Sequence, residues 1–161
     1  MFVRVECRRN SELVAFGSFD VERYRAIPDR AHHGQIDKSG RPYYEHPIGV
    51  KLLLPSDASQ LEIKAALLHD VLEDTYFDEE HLRYWGASDA LVTILSWLTK
   101  DRSIAYLDEI RNLAEFGPRE AVRVKIADNQ HNMLPGRLNG STKSLQRRYI
   151  KSLEILEAAL V

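Results

Sequence analysis

Ala65-Ala66-Leu67-Leu68-His69-Asp70-Val71-Leu72-Glu73-Asp74-Thr75 is the stretch on which the reading of this chain turns. From Ala65 to Leu72 it reads as a helix that is apolar on nearly every face and therefore buried, yet the stretch carries His69, Asp70, Glu73 and Asp74. Burying an unpaired charge is costly enough that the group either neutralises or finds a partner, so something has to compensate these four. Residues four apart are neighbours on a helix, which puts His69 with Glu73 and Asp70 with Asp74 in two adjacent rows. A cation facing those rows would compensate them, and neutral imidazole with carboxylate suits divalent transition ions such as manganese, iron or zinc. A buried ion-pair network without metal is the competing reading of the same residues.

Working outward, the chain of 161 residues is of a size for one domain around one core. Lys and Arg number 22 against 24 Asp and Glu, a formal charge of -2, which argues against general electrostatic binding to nucleic acid or an anionic membrane. An anionic ligand would need a local basic patch. Cys7 is the one cysteine, so neither an internal disulfide nor a thiolate zinc cluster is available, and a reducing, cytoplasmic location is the expectation. The amino terminus is interrupted by charges too often for a signal peptide, and no apolar run approaches the roughly 20 residues of a membrane span.

The 3.6-residue period dominates, with Pro, Gly, Ser and Asp at the joints, so the expected fold class is all-α. Residues 1–19 are expected as an amino-terminal extension and 20–161 as the single domain. Helices are expected over Asp20–His33, with Pro28 kinking it or delaying its start, and over a segment from about Pro47 to Leu54. Gly34 to Tyr44 forms a polar loop between them. One continuous helix is expected over 58–74, then Asp78–Tyr84, Ser88–Leu98, Ser103–Ala114 with Ile104 on its apolar face, and about 142–160. Val122, Val124 and Ile126 alternate as in a strand, but a lone strand has no partner, so a buried helix running into Asp128 is expected. Trp85 and Trp97 read as core.

Three blocks carry a resemblance: His46 within Gly40-Arg41-Pro42-Tyr43-Tyr44-Glu45-His46-Pro47, then Ala65 to Thr75, then Val124-Lys125-Ile126-Ala127-Asp128-Asn129-Gln130-His131-Asn132-Met133. With Ala31-His32-x-Gly34-Gln35 and Leu98-Thr99-Lys100 they resemble, in order, the HD phosphohydrolase superfamily, and within it the RelA/SpoT-type alarmone hydrolase domain in its small single-domain versions. The resemblance implies a helical bundle of about seven to eight helices. It assigns one divalent metal, most often manganese, to His46, His69, Asp70 and Asp128. It makes Glu73 and Asp74 the acidic residues that position and deprotonate the attacking water, and gives Asn132, with Lys38 and Ser39, to the substrate. His32 is expected to support the site from beneath; His33 is read as surface, and His81 and His131 as surface or packing. Lys125 is read equally as a solvated stem or a phosphate contact.

The implied reaction is metal-assisted hydrolysis of a nucleotide phosphoester, with removal of the 3′ pyrophosphate from guanosine tetra- or pentaphosphate as the first choice. Members of that family usually place Arg-Lys-Ser-Gly after the Gly-Gln block, the arginine packing on guanine, where this chain has Asp37-Lys38-Ser39-Gly40. A carboxylate cannot make that cation-to-ring contact, which leaves the base open. Lys38, Arg41, Lys125, Arg137, Arg147 and Arg148 are the cations available for an anion pocket. One alternative is a phosphatase of the same type acting on a deoxynucleotide monophosphate or a phosphorylated dinucleotide. A non-catalytic nucleotide-binding module is the other, and it has no need of Glu73 and Asp74.

Overall fold

Local capping chemistry sets where the helices begin. Ser59 accepts a hydrogen bond from the Glu62 backbone N–H while the Glu62 carboxylate accepts from the Ser59 N–H, a reciprocal box that starts the helix leading to His69. Asp78 and Ser88 cap the next two longer turns in the same way, each accepting from a backbone N–H three residues on. The computed structural model describes residues 27–37, 40–138 and 143–161. Their helices are α1 (27–31), α2 (Glu45–Leu52), α3 (Gln60–Leu68), α4 (Val71–Asp74), α5 (Glu79–Tyr84), α6 (Asp89–Leu98), α7 (Tyr106–Phe116), α8 (Arg119–Asn132) and α9 (Lys143–Ala158). Among the described residues the only β pairing is one isolated bridge, Ile36 with Pro42, that closes the loop between α1 and α2.

Helix α8 is the hub, packing against α2, α3, α6, α7 and α9. The core around it is built from Val50, Leu67, Leu68, Val71, Leu91, Leu95, Val124 and Leu156, all buried. Val122 and Val124 are buried on α8, as the helical reading of that alternating segment requires. The rotation of α8 is held by a buried polar trio: Tyr106 Oη donates to Asn129 Oδ1 at 3.0 Å, and Asn129 Nδ2 donates to Ser152 Oγ at 2.6 Å. Those bonds turn Asn129 toward α7 and α9. Its neighbour Asp128 therefore faces α2 and α3.

Three expectations are corrected. The helix expected over 58–74 is interrupted at His69 and Asp70, which separate α3 from α4 while keeping right-handed backbone angles, Asp70 at φ -96° and ψ -4°. The segment expected over Ser103–Ala114 is helical only from Tyr106, because Asp101 accepts hydrogen bonds from Ser103 and holds that stretch as a turn. Ile104 is consequently exposed rather than core. Trp85 packs on the core and against Phe77, but Trp97 is 37% exposed and lines a surface cavity. The expected extension 1–19, and residues 20–26 of the first expected helix, lie outside the described residues, as do Lys38 and Ser39.

Candidate functional site

His46 sits in the first turn of α2, His69 and Asp70 in the break between α3 and α4, and Asp128 on α8. These four side chains meet. His69 Nε2 is 3.0 Å from Asp70 Oδ2, 3.3 Å from His46 Nε2 and 3.7 Å from Asp128 Oδ1. His46 Nε2 is 3.2 Å from Asp128 Oδ1 and 3.5 Å from Asp70 Oδ2.

A divalent cation fits this donor set on the chemistry of the donors themselves. His69 Nδ1 faces the Ala66 carbonyl at 2.8 Å, and a carbonyl can only accept, so Nδ1 carries a proton. The Nε2 lone pair of neutral His69 then points at two carboxylate oxygens and a second imidazole nitrogen, an arrangement of mutually repelling acceptors that a cation or an extra proton relieves. Burial pulls the His69 imidazole down, but Asp70 and Asp128 outweigh it and hold the ring at about 9. The Asp70 carboxyl is lowered: burial opposes this and the two imidazoles overcome it. His46, His69 and Asp70 could together hold a metal ion, and Asp128 stands within reach as a fourth donor.

Each donor is held by a neighbour. Lys125 Nζ donates to Asp128 Oδ2 at 2.8 Å, and Asn132 Nδ2 donates to Asp128 Oδ1 at 2.6 Å. Lys125 is therefore bound to the site rather than solvated, and its ammonium is raised because Asp128 outweighs burial. Tyr43 Oη donates to Asp70 Oδ2 at 2.7 Å and to Asp74 Oδ2 at 3.1 Å. Burial, then Asp70 and Asp74, raise the Tyr43 phenol, so it stays a donor. Beneath it lies His32, buried, with its ring 4.7 Å from the Tyr43 ring and Nδ1 paired with Gln35 at 2.9 Å. Gln35 in turn donates to the Asp74 carbonyl at 3.0 Å. His32 thus supports the site from below.

Two participants were not visible beforehand. Tyr43 stands in a sequence block that suggests the site but carries no charge to single it out. His131, read as surface or packing, instead pairs through Nδ1 with His46 Nδ1 at 2.7 Å. Its spacing from Asp128, three residues along one helix, is the signal that places it on the same face.

Glu73 and Asp74 lie beside the donors on α4, and both carboxyls are raised, chiefly by burial and then by neighbouring carboxylates. Glu73 opens onto a cavity of about 280 Å³ that also reaches Thr99, Lys100, Tyr106 and Lys125. On the other side, Asp37 holds Arg137 at 3.1 Å and Arg41 at 3.8 Å. The loop that lacks the expected arginine is therefore joined to one arriving from beyond α8.

All-helical packing around two imidazoles and two carboxylates, drawn from α2, the α3–α4 break and α8, defines a domain of the HD phosphohydrolase type. No protein-family model matches the chain. It is 32% identical over 136 residues to guanosine-3′,5′-bis(diphosphate) 3′-pyrophosphohydrolase MESH1 of Danio rerio, a match covering 80% of this chain and 71% of that protein. The Haemophilus influenzae protein named guanosine-3′,5′-bis(diphosphate) 3′-pyrophosphohydrolase is 39% identical over 136 residues. That match covers 78% of this chain but 20% of the bacterial protein, so the chain spans about a fifth of that longer relative. A solved structure described as a metazoan ortholog of SpoT that hydrolyzes ppGpp superposes with a TM-score of 0.70 at 24% identity, covering 90% of this chain and 87% of that one. The chain belongs to the guanosine-3′,5′-bis(diphosphate) 3′-pyrophosphohydrolase family.

Proposed function

We propose that this chain is a metal-dependent hydrolase that removes the 3′ pyrophosphate from guanosine tetra- or pentaphosphate, with His46, His69, Asp70 and Asp128 holding one divalent cation, manganese by preference. The observation that supports this best is the convergence of three acceptor atoms, from His46, Asp70 and Asp128, within 3.0–3.7 Å of His69 Nε2 in a buried, helix-walled setting. The names of the relatives supply the nucleotide. When bound, the cation supplies Lewis-acid stabilisation of phosphoryl charge and a lower pKa for water.

The chain's own residues do the rest. Glu73, on the cavity wall, has a raised carboxyl suited to taking a proton from water. Asp74, tied by the Tyr43 hydroxyl, orients that water beside it. Lys125 and Asn132 fix the Asp128 carboxylate by occupying one oxygen each. Lys100 is the cavity-lining cation offered to a phosphate, since Lys125 is already paired with Asp128. Lys38 and Ser39 are assigned to the substrate as well. We place the protein in the cytoplasm; no helix among the described residues is long and apolar enough to cross a membrane.

A panel of guanosine tetraphosphate, deoxynucleotide monophosphates and phosphorylated dinucleotides, each with Mn²⁺, tests the proposal. Pyrophosphate and guanosine diphosphate are expected from the first. Inorganic phosphate from another member, with guanosine tetraphosphate untouched, would replace this substrate by that one; tight binding without turnover would point to a sensor.

A further inference from the structure

The two candidate imidazole ligands are oriented by different means. His69 Nδ1 meets the backbone carbonyl of Ala66, whereas His46 Nδ1 meets the side chain of His131 on α8 at 2.7 Å, with ring centroids 4.9 Å apart and planes tilted 38°. At that separation the two nitrogens share one proton. Because His46 turns Nε2 toward Asp70 and Asp128, a cation there needs that nitrogen's lone pair, and the His46 proton must sit on Nδ1. His131 Nδ1 is then the acceptor, and the proton of neutral His131 lies on Nε2.

The fold makes room for this ring by omitting a side chain. A Cβ on Gly49 would stand 1.9 Å from His131 Nε2 and 2.5 Å from Cδ2, so the imidazole occupies the space that any other residue at 49 would fill. Gly49 lies one turn along α2 from His46, and His131 one turn along α8 from Asp128. Helices carrying two of the four donors thus touch at this contact.

We infer that His131, admitted by Gly49, is a positioning residue that fixes the tautomer and ring orientation of His46, making it a ligand through Nε2. The inference rests on the metal centre proposed above. Partners of this kind typically change metal affinity by about 10–100-fold when removed. A side chain that only fills space would leave affinity unchanged once its volume is replaced.

The test is the dissociation constant of Mn²⁺, measured by titration of the metal-stripped full chain, together with the melting temperature of each metal-free protein. His131→Leu fills the volume without an acceptor and is expected to weaken Mn²⁺ by about 10–100-fold. His131→Asn places Oδ1 where Nδ1 now sits and is expected to recover at least about tenfold of that loss. Gly49→Ala, which displaces the ring from the opposite helix, is expected to weaken Mn²⁺ as the leucine does and keeps the test open if His131→Leu does not fold. Leucine and wild-type proteins of equal affinity would overturn the inference alone, as would an asparagine variant as weak as the leucine one at matched metal-free stability. A wild-type chain that takes up no divalent cation would overturn the metal centre itself, and this reading with it.

Discussion

Asp70 occupies the position where local backbone, buried charge and proposed chemistry coincide. It leaves the helix at φ -96° and ψ -4°, faces His69 and His46, and accepts the Tyr43 hydroxyl. Asp70→Ala removes a donor and leaves the two imidazoles facing one carboxylate. Bound Mn²⁺ and turnover are both expected to vanish, and elemental analysis showing stoichiometric manganese in the variant would count against the assignment. Glu73 makes a separable contribution, since it borders the cavity without being a donor. Glu73→Gln should keep metal content near normal and slow hydrolysis by about two to four orders of magnitude, the scale of a lost general base. An unchanged single-turnover rate would exclude it from the mechanism.

At the scale of elements, the site depends on where α3 begins and where it stops. Ser59→Ala removes the side-chain half of the capping box and should destabilise the protein by about 1 kcal/mol in urea unfolding. A midpoint unchanged with the same slope would mean that packing of Leu67 and Leu68 alone holds the helix. The cap of α5 offers a pH-resolved counterpart. The His81 backbone N–H and then its ring hold the Asp78 carboxyl below its ordinary range. A depressed folded-state value contributes stability above the unfolded value of about 3.9 and loses it as pH falls through the folded value. The melting temperature of Asp78→Ala should therefore lie below wild type near neutrality and converge on it in acid; a gap that persists at low pH would assign the effect to packing. The helical character of α8, and α6 with its buried Leu91, Ile94, Leu95 and Leu98, were legible because apolar spacing is a local property. The break at His69 and Asp70 was not: residues on both sides favour helix, and the stop follows from tertiary demands on two polar side chains.

Considered whole, the molecule gathers its donors across three helical elements, so cation binding should couple to global stability. Ligand at about a thousandfold over its dissociation constant stabilises by about 4 kcal/mol, which for a chain of this size raises the melting temperature by about 10 °C. Calorimetry of metal-stripped protein with and without saturating Mn²⁺ checks this, and coincident transitions would argue against a preformed site. His69 and Asp70 could be singled out from the chain because acidic and imidazole groups in an apolar stretch are conspicuous, whereas His46 and Asp128 joined them as candidates only through the resemblance of their sequence blocks to the family. Tyr43 and His131 could not be read in the same way. A phenol and a half-buried imidazole are ordinary in sequence, and only the approach of α8 to α2 at Gly49 brings His131 onto His46. Asp37 likewise departs from the expected arginine in sequence, but its pairing with Arg137 is a fact of folding. The chain by itself determined an all-helical class and the buried His69-Asp70 pair, since periodicity and charge in an apolar stretch are local physical quantities, and its resemblance to the family added His46 and Asp128 as candidates. Tertiary structure alone decided how those ligands are oriented, because orientation depends on contacts between residues far apart along the chain.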